Sequence, residues 1–134
     1  MNKIIKFTAI TIGVFSFGGM LTKLPASAET IVDYGWIQNK DGSWSYSNDG
    51  KTLVKSNWLN DHGTWYYFDA NCKIGKGWIK DSSENWYYLN DNGSMKTGWL
   101  NDHGNWYYLN SNGIMVKNTT ISGYNIGPNG AWIQ

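Results

Sequence analysis

From residue 35 onward, short alternations of large apolar and polar residues recur about every 20 positions. Trp36, Trp58, Trp78 and Trp99 lead successive units, separated by 22, 20 and 21 residues. The units read GWIQNKDGSWSYSNDGKTL, NWLNDHGTWYYFDANCKI, GWIKDSSENWYYLNDNGSM and GWLNDHGNWYYLNSNGIM, and ISGYNIGPNGAWIQ closes the chain. In each, a Trp-Ile or Trp-Leu start predicts a short strand, a polar Asp/Asn/Gly stretch predicts the turn, and a Trp-Tyr-Tyr-Leu-type run predicts the return strand. Asn92-Gly93 and Asn112-Gly113 turn the chain into the following unit. Outside the N-terminal segment no window sustains a helical period.

A two-stranded hairpin alone is marginal in water. The units are therefore expected to stack on one another as an all-β solenoid of about 20-residue hairpins, each burying its apolar face against its neighbours. The expected boundaries lie near 35–57, 58–77, 78–98 and 99–118, with a degenerate cap at 119–134. The first unit carries Ser45 and Ser47 where later ones have Tyr and Phe or Leu, and the tail keeps only Tyr124 and Trp132. Such atypical ends are expected of capping repeats.

The segment before the array has a different pattern. Lys3 and Lys6 precede the 15-residue apolar run Phe7–Leu21, and Ala26-Ser27-Ala28 follows as a small-x-small cleavage signal. Residues 1–28 read as a signal peptide, with 29–34 a short linker. The run is too short and too diluted by Thr, Ser and Gly for a spanning helix, which needs about 20 apolar residues. The expected product is a secreted, surface-associated protein with no membrane span after cleavage.

Charge removes one class of partner. After residue 28 there are eight Lys, no Arg and ten acids, a net charge of −2. A nucleic-acid binder needs a basic face to neutralise phosphates, so none is expected here. The aromatic content points elsewhere. Nine Trp and nine Tyr in 134 residues exceed what small hairpins can hide, so some rings are expected to face a ligand. Strand alternation divides them: Trp65 and Tyr67 share one face, Tyr66 and Phe68 the other. Tyr66, Tyr87 and Tyr107 are expected to be buried between units. Two Trp of one hairpin and a Tyr of the next can then enclose a quaternary ammonium, which donates no hydrogen bond and is held by ring quadrupoles.

The pattern GWxxxxGxWYYLxxxGxMxxG over residues 35–134 resembles the choline-binding, or cell-wall-binding, repeats of Gram-positive surface proteins and autolysin-type wall anchors. The resemblance implies a module that holds choline of wall teichoic acid in three-aromatic boxes between hairpins, with Met or another apolar side chain nearby. Carried over by position, Trp36 and Trp44 pair with Tyr67, Trp58 and Trp65 with Tyr88, and Trp78 and Trp86 with Tyr108. Trp99 and Trp106 close on Tyr124. The second Tyr of each pair is chosen on the alternation argument. Met95 and Met115 match the Met of the motif, and Leu53 and Ile74 replace it in earlier units. Relatives dimerise through terminal hairpins, and the Trp132 tail permits a homodimer here.

Related repeats of clostridial toxins and glucan-binding proteins recognise sugars, usually without the second Trp. Here Trp44, Trp65, Trp86 and Trp106 are all present, which favours choline. Glycan binding stays open, because flat rings beside Asn and Asp also suit sugar stacking. A structural or adhesive protein-binding array is the alternative of another class.

Catalysis and cofactors are not expected. His62 and His103 sit in equivalent Asn-Asp-His-Gly turns too far apart in sequence to converge on a metal, and the single Cys72 offers no zinc spacing. Asp61, Asp81 and Asp102 recur three residues after their lead Trp and read as exposed turn acids rather than a facing carboxylate pair. Cys72 stands where other units have a turn Gly and reads as a tolerated loop substitution.

Overall fold

The structure is a computed structural model that describes residues 34–134. The expected signal peptide, and the linker up to residue 33, lie outside the described residues. The described residues form five antiparallel hairpins in sequence order, and each is its own two-stranded sheet. They are β1 (Gly35–Gln38) with β2 (Trp44–Ser47), β3 (Asn57–Asp61) with β4 (Thr64–Phe68), and β5 (Gly77–Lys80) with β6 (Trp86–Leu89). The fourth and fifth are β7 (Gly98–Asp102) with β8 (Asn105–Leu109), and β9 (Thr119–Ile121) with β10 (Tyr124–Ile126). The architecture is the all-β stack of hairpins that the repeat predicts.

Two kinds of turn close these hairpins. His62-Gly63, His103-Gly104 and Ser122-Gly123 are two-residue turns with φ positive at both positions (50° and 86° in the first), the geometry of a type I′ turn. Its twist matches that of the flanking strands. The first and third hairpins use longer turns, Asn39–Ser43 and Asp81–Asn85, which polar side chains stitch together.

Register determines what each hairpin shows its neighbours. Trp58 stands opposite Tyr67 and Asn60 opposite Trp65, so these four share the front face. Leu59, Asp61, Tyr66 and Phe68 share the rear. Stacking brings the front of one hairpin against the rear of the next: Trp36 meets Tyr66 and Phe68 with ring centroids 4.8 and 5.8 Å apart. The rear residues at the end of each return strand form the core row, with Phe68, Leu89, Leu109 and Ile126 exposed by only 0, 1, 0 and 3%. Ser47 takes this place in the first hairpin and is also buried, its hydroxyl bonded to Asp49 and to the Gly50 amide.

After each hairpin from the second onward the chain forms one more rung. The amides of Ile74, Met95, Met115 and Trp132 donate to the carbonyls of Trp44, Trp65, Trp86 and Trp106, tying each linker to the hairpin behind. In the fourth unit the turn before this rung favours glycine for two reasons. Gly113 has φ +78°, and a Cβ there would lie 2.4 Å from the Met95 sulfur. Gly113→Ala is expected to destabilise the fold by about 1–3 kcal/mol through strain and overpacking, measurable by urea denaturation. Cys72 holds the equivalent turn of the second unit with φ 60°. Its side chain is half-buried and its thiol free.

Candidate functional site: aromatic cages between hairpins

Concave sites repeat along the stack of described residues. Trp58, Trp65, Tyr87 and Met95 line one of about 240 Å³, together with Ser111 and Asn112. Trp78, Trp86, Tyr107, Met115 and Asn129 line the next, of about 340 Å³. Trp99, Trp106, Tyr124 and Trp132 line a third of about 460 Å³. In the second, third and fourth hairpins the second Trp stays open to solvent, with Trp65, Trp86 and Trp106 exposed by 44, 37 and 40%. Within a cage the two indoles meet nearly at right angles, for example Trp78 and Trp86 at 6.3 Å and 84°. Edge-to-face contact holds such rings apart, so a ligand between them meets π faces.

The ring that closes each cage is the first Tyr of the next hairpin's pair. Tyr87 lies 4.9 Å from Trp58, and Tyr107 lies 5.0 Å from Trp78. Tyr66 takes the same place against Trp36. The expected partners Tyr67, Tyr88 and Tyr108 instead pack on the lead Trp of their own hairpin, Trp58, Trp78 and Trp99, at 5.2–5.3 Å. The reason is the front-to-rear stack. The second Tyr shares a face with its own Trp pair and points away from the preceding cage, whereas the first Tyr lies on the rear face and enters it. Tyr124 does lie against Trp99, at 5.4 Å. Trp44 is half-buried on β2, opposite Gln38, the position that Trp65 occupies against Asn60.

The last cage differs in construction. The fifth hairpin stops two residue pairs early, after Ile121 pairs with Tyr124. It supplies no Trp pair of its own. Trp132 pairs with Ile126 as Met95 pairs with Leu89 and Met115 with Leu109, so a fourth ring stands where earlier cages have a Met. It meets Tyr124 at 5.2 Å and 90°. The alignment of Asn129-Gly130-Ala131-Trp132 with Asn112-Gly113-Ile114-Met115 carries this signal in the sequence.

The turn acids do not simply face solvent. Asp61 accepts the indole N–H of Trp36 at 2.9 Å, and Asp102 that of Trp78 at 3.0 Å. The second oxygen of each meets the imidazole Nδ1 of its neighbour, His62 at 2.7 Å and His103 at 2.9 Å. The Trp36 indole, with a smaller contribution from His62, holds the Asp61 carboxyl below the usual range against the opposing effect of partial burial. Its stabilising contribution is complete above the unfolded value near pH 3.9 and is lost as pH falls through the lower folded value. Asp81 serves its own turn instead, accepting the amides of Asn85 and Ser83 and the Tyr87 hydroxyl. Burial foremost, and then this acid, push the Tyr87 phenol up.

The Lys80 ammonium lies over the Trp86 ring, 5.6 Å from its centroid, and pairs with Glu84. Among the described residues no group of three or more His, Cys, Asp or Glu could hold a metal ion.

The comparisons agree with this geometry. Residues 54–98 and 96–132 match two choline-binding repeat families. The choline-binding domain of Spr1274 in Streptococcus pneumoniae is 38% identical, with a TM-score of 0.56 over 60% of this chain and 96% of that one. The chain belongs to the choline-binding repeat family. These repeats are binding modules. CbpJ from Streptococcus pneumoniae TIGR4 is 40% identical with a TM-score of 0.67, over 75% of this chain and 34% of that one. Choline-binding protein F of Streptococcus pneumoniae, solved in the presence of a peptidoglycan analogue, is 39% identical with a TM-score of 0.67, over 76% and 34%. This repeat chain therefore spans about a third of the length of CbpJ and of choline-binding protein F. No curated protein matches it.

Proposed function

We propose that the chain is a secreted, non-catalytic module that attaches to choline-bearing teichoic acid of a Gram-positive wall through its aromatic cages. The observation that carries this reading is the convergence of Trp58, Trp65 and Tyr87, and of the equivalent rings one hairpin on, around open spaces lined mainly by aromatic rings and a methionine, with no acid in the lining. Such a space rewards a methylated ammonium, which needs apolar contact and π faces and no hydrogen-bond partner. Each ring contributes about 0.5–2 kcal/mol. One cage alone is weak, and several at a regular spacing give avidity on a decorated polymer. The placing of residues 1–28 as an export signal, 29–34 as a linker and the rest as the repeat array belongs to the same proposal.

Binding to beads carrying immobilised choline, against beads carrying an unsubstituted wall polysaccharide, tests the reading. Retention by the first and release by free choline are expected. A second reading, glycan binding, draws on Ser111, Asn112 and Asn129 in the cage linings, whose polar groups could meet sugar hydroxyls. It predicts retention by the polysaccharide that choline does not reverse.

Lys80 supplies a further expectation. Its ammonium occupies the neighbourhood of a face that a ligand cation would use, so Lys80→Gln is expected to tighten choline at the Trp78–Trp86 cage by about two- to threefold. Chemical-shift titration of the Trp86 indole N–H measures this.

A further inference from the structure

The cages share their rings and differ in what stands behind the lead Trp. Behind Trp36, Asp61 of the next hairpin accepts the indole N–H, and behind Trp78 Asp102 does the same. Behind Trp58, the equivalent acid Asp81 is bound into its own turn by the Ser83 and Asn85 amides. Behind Trp99, the fifth hairpin is too short to carry an acid there, since Ser122-Gly123 closes it directly after Ile121.

Turn type is the cause. A two-residue turn closes with the backbone pair flanking it, Asp61 with Thr64 or Asp102 with Asn105. This leaves the Asp side chain free to reach back to the hairpin behind. A longer turn exposes its own amides, and the Asp at its start is drawn to them.

We propose that Asp61 and Asp102 are positioning and electrostatic residues for cation binding, so that acid-backed lead Trp residues (Trp36, Trp78) alternate with unbacked ones (Trp58, Trp99). The proposal rests on the quaternary-ammonium reading above. A carboxylate on an indole N–H fixes the ring against rotation. It also pushes electron density into the π system, and places a full negative charge at the ring edge while the ligand cation sits over the face. All three effects favour a cation, and only the first matters to a neutral ligand of the same shape. His62 and His103 each hold the second carboxylate oxygen, so the acid cannot swing away from the indole without losing that contact.

The test compares choline with its neutral carbon isostere, 3,3-dimethyl-1-butanol, by following the indole N–H signals of the Trp residues in the wild-type protein and in Asp102→Asn. The asparagine carbonyl still accepts the indole N–H, so the ring stays in place while the charge is lost. The expected result is choline binding at the Trp78–Trp86 cage weakened about 3- to 10-fold, with the isostere's affinity there and choline binding at the Trp58–Trp65 cage unchanged. Equal weakening of both ligands would reduce Asp102 to a packing role and overturn the proposal, as would no change in either. Asp61→Asn, read at the Trp36 indole, repeats the measurement between the first two hairpins should Asp102→Asn lose the dispersed indole signals of the folded state. A wild-type protein whose cages ignore choline would instead sink the underlying reading, which separates the two failures.

Discussion

Leu89→Ala is expected to lower the unfolding free energy by about 2–5 kcal/mol and to split the stack at its middle. Leu89 is 1% exposed, sits in the row with Phe68, Leu109 and Ile126, and packs so closely on the linker behind that a Cβ on Gly75 would stand 2.8 Å from its Cδ1. No disulfide can hold the hairpins together, because the chain has one cysteine. Each hairpin depends on its neighbours, so loss at one interface uncouples the units on either side. Urea denaturation followed separately by far-UV dichroism and Trp fluorescence is expected to show a lower midpoint and two transitions that no longer coincide. Leu89→Met, which nearly keeps the volume, is expected to cost less than about 1.5 kcal/mol. A Leu89→Ala protein within 1 kcal/mol of wild type would contradict a core built from a single row.

The second large effect is on binding and separates the two tyrosines of a pair. Tyr87→Leu is expected to weaken choline at the Trp58–Trp65 cage about tenfold, the loss of one aromatic wall at up to about 2 kcal/mol. Tyr88→Leu is expected to change that cage by less than about twofold, because Tyr88 packs on Trp78, in its own hairpin. Titration of each variant with choline, read at the Trp65 indole N–H, measures both. The opposite order would mean that the ligand uses a surface other than the one facing Tyr87.

Much of this arrangement is legible in the residues. The spacing of Trp36, Trp58, Trp78 and Trp99 and the turn residues between paired aromatic runs define the hairpins, because a period of two and a turn chemistry of Asn, Asp and Gly are local properties. That the Trp pairs meet within a hairpin also follows locally. Which tyrosine joins them does not. Alternation shows that Tyr87 and Tyr88 face opposite ways, and only the sense of stacking, front against rear, decides which of them enters the preceding cage. Register carries the missing clue: Tyr88 stands opposite Trp78, so it belongs with its own pair and not with the pair behind.

Trp132 escaped for a different reason. The tail has lost its lead Trp and one Tyr and reads as a worn cap, although Asn-Gly two residues before Trp132 marks the same turn that precedes Met115. The acids Asp61, Asp81 and Asp102 look alike in sequence and act differently. A two-residue His-Gly turn frees its Asp, whereas the stretch from Asp81 to Asn85 consumes it. That difference lies in backbone amides, which side-chain patterns do not report.

The central claim is that the spaces between hairpins hold a quaternary ammonium by its charge and its methyl groups. Calorimetric titration of the protein with choline, with 3,3-dimethyl-1-butanol and with a neutral sugar oligomer tests it most directly. The account predicts saturable binding of choline at several sites, much weaker binding of the isostere and none of the sugar. Saturation by the sugar with no response to choline would contradict it.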